Sequence, residues 1–215
     1  MLNRPAPRLY LSVPLAGDAP PMDPLASTLA AMLGAADVAA VLLRVPETDD
    51  RSLINRVKLL APLVQDRGAA LLLEGRPDIA VKVGADGAHF SRLEEFRAAL
   101  ATLKPDRIAG CGALTTRHDA MTAAEFGADY VMFGETDASG HRPPFDAVLE
   151  RVGWWAEVFE VPCIGYAGSA EEIEPIAKAG ADFIAVGDWI FLDKRGPVEA
   201  ITDAAARLAL VGTDA

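Results

Sequence analysis

A Gly-Ala-Asp motif, or a near copy of it, occurs four times in the chain, each time between a helix-like segment and a short apolar segment. The copies begin at Gly34, Gly84, Gly127 and Gly180, so successive copies are 50, 43 and 53 residues apart. Glycine adopts the left-handed conformation that ends a helix without a steric clash. Each copy is therefore predicted to end one helix and to lead into one strand.

The spacing of the four copies predicts the architecture. A separation of about 45 to 50 residues is roughly twice the length of one strand-plus-helix unit. Four double units contain eight strands and eight helices, so we predict that residues 1–215 form one α/β domain, a single (β/α)₈ TIM barrel. The hydrophobic content of 51% is sufficient for a packed barrel interior and a layer of helices around it. The motif turns then lie at the bottom of the barrel, where their aspartates are expected to brace the loops.

The individual elements follow from short apolar segments, from segments with helical periodicity and from the turn residues between them. The predicted strands are Arg8–Pro14, Val38–Val45, Ala69–Leu73, Gly87–Phe90, Arg107–Cys111, Tyr130–Phe133, Cys163–Tyr166 and Phe183–Val186. The predicted helices are Pro24–Gly34 with Asp23 as its cap, Asp50–Arg67, Pro77–Val83, Leu93–Leu103, Arg117–Phe126, Phe145–Phe159, Ala170–Ala179 and Pro197–Leu210.

Charge and cysteine content limit the classes of partner. A net charge of −11 disfavours nucleic acids and anionic membrane surfaces, but a local basic pocket for a phosphorylated substrate can coexist with it. The chain contains no apolar segment of the ~20 residues that span a bilayer. Met1–Pro7 contains two prolines and leads directly into a strand, which argues against a secretory signal. We therefore expect a cytoplasmic protein in which Cys111 and Cys163 are free thiols.

Active sites of TIM barrels lie at the carboxyl ends of the strands. Four predicted strands end at or next to a charged or ionisable residue: Arg44 at the end of strand two, Glu74 after strand three, His89 in strand four and Glu135 after strand six. Residues with small side chains follow strands seven and eight, so that backbone N–H groups there can approach a phosphate. They are Ala167, Gly168, Ser169 and Gly187. Asp188 would repel that phosphate unless its carboxylate turned away.

Four segments resemble those of thiamine-phosphate synthases and of their TenI-like relatives, the thiazole tautomerases. The resemblance covers most of the chain, concerns mainly structural residues and implies a TIM barrel. The segments that carry it are Arg76–His89, Gly127–Gly134, Val161–Gly165 and Gly180–Val186.

The resemblance also implies candidate ligands for a diphosphate and for Mg²⁺. The family holds the pyrophosphate with Gln-x-Arg-x-Lys after strand two, and of these residues only Arg44 is present. The family carries Asn-Asp after strand three, where the aspartate binds magnesium; here Glu74 stands one position earlier. The second metal aspartate aligns near Glu94. Glu74 and Glu94 are thus the candidate Mg²⁺ ligands, although the replacement of both aspartates argues against a conserved metal site.

The remaining family motifs are matched in part. Thr-x-Thr-Lys after strand six aligns with Ser139-Gly140-His141-Arg142, which retains one hydroxyl and one cation. The Gly-Gly after strand seven becomes Ala167-Gly168, and the serine after strand eight becomes Asp188. The Ser-x-His after strand five has no clear counterpart, since the nearby His118 falls within a predicted helix.

By this resemblance the chain is expected to join a hydroxymethylpyrimidine diphosphate to a thiazole phosphate and to release pyrophosphate. Arg44 and Arg142 would stabilise the leaving group from opposite sides. One alternative is a paralogue that binds a phosphorylated heterocycle without converting it, as a sensor or a partner subunit. Another is a thiazole-tautomerase-like isomerase with Glu135 as its acid and base.

Several of these residues also have structural interpretations. Glu74 is as well placed to pair with Arg44 as to bind a metal. His89 is expected to be a hydrogen-bonded packing residue. His141 and Arg142 lie in the longest loop, which is solvated unless an anion orders it.

The aromatic pair Trp154-Trp155 lies on a predicted helix and has two interpretations. The two side chains pack either against the barrel or against a second copy of the chain. The sequence therefore leaves the formation of a homo-oligomer open.

Overall fold

The computed structural model describes residues 5–15, 24–46, 48–137 and 139–212. It shows a closed barrel of eight parallel strands in chain order, with the eighth strand paired to the first. Helices surround the barrel. The predicted (β/α)₈ architecture is therefore confirmed, whereas the predicted cap residue Asp23 lies outside the described residues.

Five of the eight predicted strands match the structure at both ends, and the other three differ by one residue at one or both ends. The strands are β1 Arg8–Pro14, β2 Val38–Arg44, β3 Ala70–Glu74, β4 Gly87–Phe90, β5 Ile108–Cys111, β6 Tyr130–Phe133, β7 Cys163–Tyr166 and β8 Phe183–Val186. The helices are α1 Pro24–Ala35, α2 Asp50–Gln65, α3 Pro77–Val83, α4 Leu93–Leu103, α5 Arg117–Glu125, α6 Phe145–Val158, α7 Ile173–Lys178, α8 Asp188–Phe191 and α9 Pro197–Gly212. The short α8 was not predicted, and the predicted helix seven includes the 3₁₀ turn Ala170–Glu172 that precedes α7.

Three of the four motif glycines follow a helix in the left-handed conformation, with φ of 75° at Gly84, 99° at Gly127 and 102° at Gly180. The prediction for Gly34 was wrong, because this glycine lies inside α1, which continues to Ala35. Its copy of the motif contains an additional alanine, and alanine favours continuation of a helix. The turn into β2 therefore comes after Gly34.

The aspartates of the same three copies brace the bottom of the barrel, as predicted. Each carboxylate accepts a hydrogen bond of 2.7 or 2.8 Å from a backbone N–H at the start of the preceding strand. The N–H of each aspartate donates to the carbonyl of that same residue, at 2.8 to 2.9 Å. The joined pairs are Asp86 with Leu71, Asp129 with Ala109 and Asp182 with Cys163. Each brace ties an even strand to the odd strand before it.

The fourth aspartate, Asp37, instead forms an ion pair with Arg8 at 2.7 Å, and its side chain is 74% exposed. We expect Asp86→Ala, Asp129→Ala and Asp182→Ala each to lower the free energy of unfolding by about 1–3 kcal/mol, because each leaves a strand N–H without its acceptor. Asp37→Ala is expected to cost less than about 1 kcal/mol, since it removes only an exposed ion pair. Urea unfolding of the four variants measures this, and equal costs at all four positions would contradict the bracing role.

Two apolar cores hold the fold together. The larger lies between the strands and the helices and includes the fully buried Trp155, which confirms packing of this side chain against the barrel. Trp154 is half-buried between Trp155, Phe159 and the guanidinium of Arg117, whose Cζ lies 4.7 Å from the ring centroid. The second core fills the barrel interior and contains three tyrosines, Tyr10, Tyr130 and Tyr166.

Cys111 and Cys163 are buried and are not joined in a disulfide, and burial raises the pKa of Cys111 to about 12. Within the described ranges, none of the helices has the length and apolar character needed to cross a membrane.

Candidate functional site

Arg44 and Glu74 form an ion pair at the mouth of the barrel. The two residues end the neighbouring strands β2 and β3, which run parallel and in register. Arg44 Nη2 lies 3.2 Å from Glu74 Oε1, and Nε donates to Oε2 at 3.3 Å. The side chains remain 31% and 24% exposed, so solvent and ligands can reach the pair. Of the two predicted roles of Glu74, the structure therefore shows the pairing with Arg44.

Arg44 is a cation at every physiological pH. Burial alone would lower its pKa, but the carboxylates of Glu74 and Glu135 raise it, and the net shift is upward. The guanidinium fork already binds two carboxylate oxygens, and such a fork binds phosphate oxygens in the same geometry. An anionic ligand would therefore exchange with Glu74.

A chain of buried hydrogen bonds runs from the mouth into the barrel interior. Glu135 Oε2 lies 3.0 Å from His89 Nε2, and His89 Nδ1 lies 2.9 Å from the Tyr130 hydroxyl. The Tyr130 hydroxyl lies 2.9 Å from that of Tyr10. The rings of His89 and Tyr130 stack with their centroids 5.7 Å apart. His89 is thus buried and hydrogen-bonded, as predicted, and it connects Glu135 to the barrel interior.

Two glycines of the β5 region make room for this chain. A Cβ on Gly110 would lie 2.0 Å from Cζ of Tyr130, and one on Gly112 would lie 1.8 Å from Oε2 of Glu135. The next residue, Ala113, donates its backbone N–H to Glu135 Oε2 at 3.1 Å. Ala113 has a φ of 49°, a conformation that is strained for a residue with a side chain. Such strain persists where the surroundings fix the backbone, and here it directs an N–H at the carboxylate.

The buried carboxylate of Glu135 is ionised. Burial alone would raise its pKa, but His89, Arg44 and the Ala113 N–H outweigh that effect and lower it. Burial raises the pKa of both Tyr10 and Tyr130, so these hydroxyls stay protonated. The mouth therefore combines one partly buried ion pair with one fully buried negative charge.

Arg142 is fixed by bonds from three directions. It donates to the carbonyls of Gly134 at 3.0 Å and of Tyr166 at 2.9 Å, and it binds the two carboxylate oxygens of Glu172 at 2.6 and 3.0 Å. Glu172 also accepts the N–H of Gly168 at 2.7 Å. The expectation of a solvated Arg142 was therefore wrong, because a carboxylate of the chain itself orders it. The neighbouring His141 is exposed.

Glu172 was not among the residues singled out from the sequence. A signal was present, since Ser169 and Glu172 have the Ser-x-x-Glu spacing that marks a helix start.

Tyr10 and Tyr130 were also missed. Each is a tyrosine in an otherwise mostly apolar strand, which is where a buried hydroxyl needs a partner.

The ends of β7 and β8 lie side by side, as the predicted phosphate region requires. Ala167 donates its N–H to the carbonyl of Ala185 at 2.8 Å, and the indole of Trp189 donates to the carbonyl of Ala167 at 2.9 Å. Asp188 is exposed and begins α8. Ser139 bonds to Asp137 within its own loop through its N–H and its hydroxyl. Phosphate binding by Gly168, Ser169, Gly187 and Ser139 stays a prediction.

The candidate metal ligands do not come together as a site. Glu74 is paired with Arg44, and Glu94 is exposed in the first turn of α4. In the part of the chain that the structure describes, no three His, Cys, Asp or Glu side chains are placed to hold one metal ion. These residues do not fit a preformed Mg²⁺ centre. His118 is exposed near the start of α5.

A cleft of about 220 Å³ lies between the loops after β5 and β6 and helix α6. Its walls are mainly apolar, and Glu135 is one of the lining residues. Arg151 holds one wall in place by donating to the carbonyls of Leu114 at 3.3 Å and of Thr115 at 2.8 Å. The lining also includes Ala113, Asp137, His141, Pro143, Pro144 and Ala147.

Comparison with known proteins gives one consistent result. The family described as thiamine monophosphate synthase matches residues 13–190. The thiamine-phosphate synthase of Rhodospirillum centenum is 41% identical over 201 residues, which cover 91% of this chain and 95% of that protein. That of Hyphomonas neptunium is 34% identical over 209 residues, covering 92% of each chain.

A solved structure agrees at the level of the fold. The thiamine phosphate pyrophosphorylase of Pyrococcus furiosus superimposes with a TM-score of 0.77 over 94% of this chain and 96% of that one, at 18% identity. The extent of the family match and the identity to two synthases over nine-tenths of the chain show that it belongs to the thiamine monophosphate synthase family, as a thiamine-phosphate-synthase-like transferase.

Proposed function

We propose that this chain joins a hydroxymethylpyrimidine diphosphate to a thiazole phosphate in the cytoplasm and releases pyrophosphate. The observation that best supports this is the partly exposed Arg44 fork, whose carboxylate partner occupies the position that two diphosphate oxygens would take. The names of the relatives, which are thiamine-phosphate synthases, support the same reaction.

The reaction breaks the bond between the pyrimidine methylene carbon and the diphosphate oxygen. The bonding electrons leave with the diphosphate, and the lone pair of the thiazole nitrogen forms the new carbon–nitrogen bond. The negative charge on the leaving group grows in the transition state, so a fixed cation beside it lowers the barrier. Arg44 fulfils this role after it exchanges Glu74 for the diphosphate.

Arg142 carries the second positive charge. It lies beside Gly168 at the end of β7, since a Cβ on Gly168 would be 2.7 Å from Arg142 Nη1. This position favours the thiazole phosphate as the ligand of Arg142, in place of the diphosphate expected from the sequence, together with the backbone of Gly168, Ser169 and Gly187. Glu172 would then release Arg142 and the Gly168 N–H when the phosphate binds.

The proposal is tested by measuring pyrophosphate release from the pyrimidine diphosphate and the thiazole phosphate, with and without magnesium. We expect release that requires both substrates and that yields the joined product in equal amount. Absence of turnover, together with measurable binding of either phosphorylated compound, would instead identify a paralogue that binds a phosphorylated heterocycle without converting it.

A further inference from the structure

Glu135 uses only one of its two carboxylate oxygens within the described chain. Oε2 accepts from His89 and from the Ala113 N–H, whereas Oε1 accepts no hydrogen bond from any residue in the described ranges. The side chain is nevertheless only 1% exposed. A buried charged oxygen without a donor is costly. In the described part of the chain, every side-chain polar atom that is fully shielded from solvent has a hydrogen-bond partner. Since Oε1 has none, it is not fully shielded and borders open space.

Glu135 is one of the residues that line the cleft between the loops after β5 and β6 and helix α6. The cleft volume of about 220 Å³ is smaller than the roughly 300–1,000 Å³ of pockets for drug-sized ligands, and it therefore suits a single ring. Leu114, Pro143, Pro144 and Ala147 give it apolar walls that match the faces of a planar ring. The cleft thus has mainly apolar walls and two carboxylates in its lining, of which Asp137 accepts hydrogen bonds from Ser139 and His141 within its own loop.

We propose that this cleft binds a planar nitrogen heterocycle that donates an N–H group to Glu135 Oε1, and that Glu135 selects rings with an amino group over rings with an oxo group. The proposal deepens the proposed function and rests on it for the identity of the ring, an amino-substituted pyrimidine. An amino group donates to the carboxylate, whereas an oxo group would place a second acceptor against an ionised acceptor and be repelled.

The rest of the buried chain makes Glu135 suitable for this task. A carboxylate selects one ring substituent only if it is held in a single orientation. His89 and the strained Ala113 hold Oε2, and Tyr130 and Tyr10 in turn hold His89. These four residues are therefore positioning residues, and Glu135 is the group that contacts the ring.

The test uses ring probes without a diphosphate, so that it is independent of turnover. The probes are 4-amino-5-hydroxymethylpyrimidine and the corresponding 4-oxo compound, titrated into the full chain and followed by chemical-shift changes in ¹H–¹⁵N spectra. We expect the amino ring to bind at least about tenfold more tightly than the oxo ring. The variant Glu135→Gln should lose this preference, because its amide donates as well as accepts. Asp146→Asn, an exposed carboxylate at the start of α6, is the matched control and should retain the preference.

A second variant keeps the proposal testable if Glu135→Gln fails to fold. Ala147→Leu fills the cleft from α6 and leaves Glu135 intact, and it should abolish binding of the amino ring. Equal affinity of the wild type for both rings, an unchanged preference in a folded Glu135→Gln, or unchanged ring binding in Ala147→Leu would each overturn the proposal. A wild type that shows the preference but releases no pyrophosphate would refute the proposed transferase reaction and leave the ring site standing.

Discussion

Replacing Arg44 with alanine is expected to lower kcat for pyrophosphate release about 10²-fold, which corresponds to roughly 2.7 kcal/mol of transition-state stabilisation. Arg44 is the cation at the barrel mouth, and its pKa is raised by Glu74 and Glu135, so it is charged throughout the assay range. If it contacts a leaving group whose charge grows as the bond breaks, its loss affects kcat as well as substrate binding. Steady-state kinetics at saturating concentrations of both substrates measures the effect.

Arg8→Ala is the matched control for Arg44. Arg8 also binds a carboxylate through its fork, with Nε and Nη2 donating to Asp37 at 3.0 and 2.7 Å, but it lies at the bottom of the barrel. We expect this variant to retain the kcat of the wild type. If Arg44→Ala raised KM and left kcat unchanged, Arg44 would contribute only to ground-state binding. If it changed neither quantity, the assignment of the diphosphate to Arg44 would be wrong.

Replacing Gly87 with alanine is expected to lower the free energy of unfolding by about 3 kcal/mol or more. Gly87 begins β4 opposite Ile108 of β5. A Cβ at this position would lie 2.0 Å from the carbonyl oxygen of Ile108 and 2.7 Å from its carbonyl carbon. These are backbone atoms of a paired strand, so no rotation of a side chain relieves the clash, and the two strands must separate.

Gly153→Ala provides the opposite case within the same protein. Gly153 lies inside α6, and the nearest atom to an added Cβ is 3.9 Å away. Alanine in a helix interior is favoured over glycine by up to about 1 kcal/mol, so this variant should be more stable than the wild type. Urea unfolding of the two variants tests the contrast. A Gly87→Ala variant as stable as the wild type would show that β4 and β5 move apart more easily than their pairing implies.

The sequence alone was sufficient for the architecture because the signals for it are local. A helix-ending glycine, a bracing aspartate and a short apolar strand lie within a few residues of one another, and their repetition predicts the barrel. The same locality explains the error at Gly34, where one additional alanine allowed α1 to continue. The pairing of Arg44 with Glu74 was also foreseeable, since the carboxyl ends of adjacent parallel strands must lie together.

The family resemblance supplied candidate ligands, but it could not decide their present partners. Arg142 was expected to be solvated without an anion. It is instead bound by Glu172, which lies on another loop 30 residues away along the chain. Such a contact depends on how the loops after β6 and β7 fold over each other, and neither loop sequence specifies this separately.

The buried chain from Glu135 to Tyr10 was decided only by the tertiary structure. Its members come from β1, β4, β6 and the loop after β6, and its bonds join residues that are 41, 46 and 120 positions apart. Whether a histidine and two tyrosines in apolar strands meet depends on closure of the barrel and on its register. The sequence by itself determined that the side chains of each strand divide into two alternating sets, one facing the barrel axis and one facing the helices, because successive strand residues point to opposite faces. The closed barrel determined which of them share a hydrogen bond, because that depends on distances across its interior.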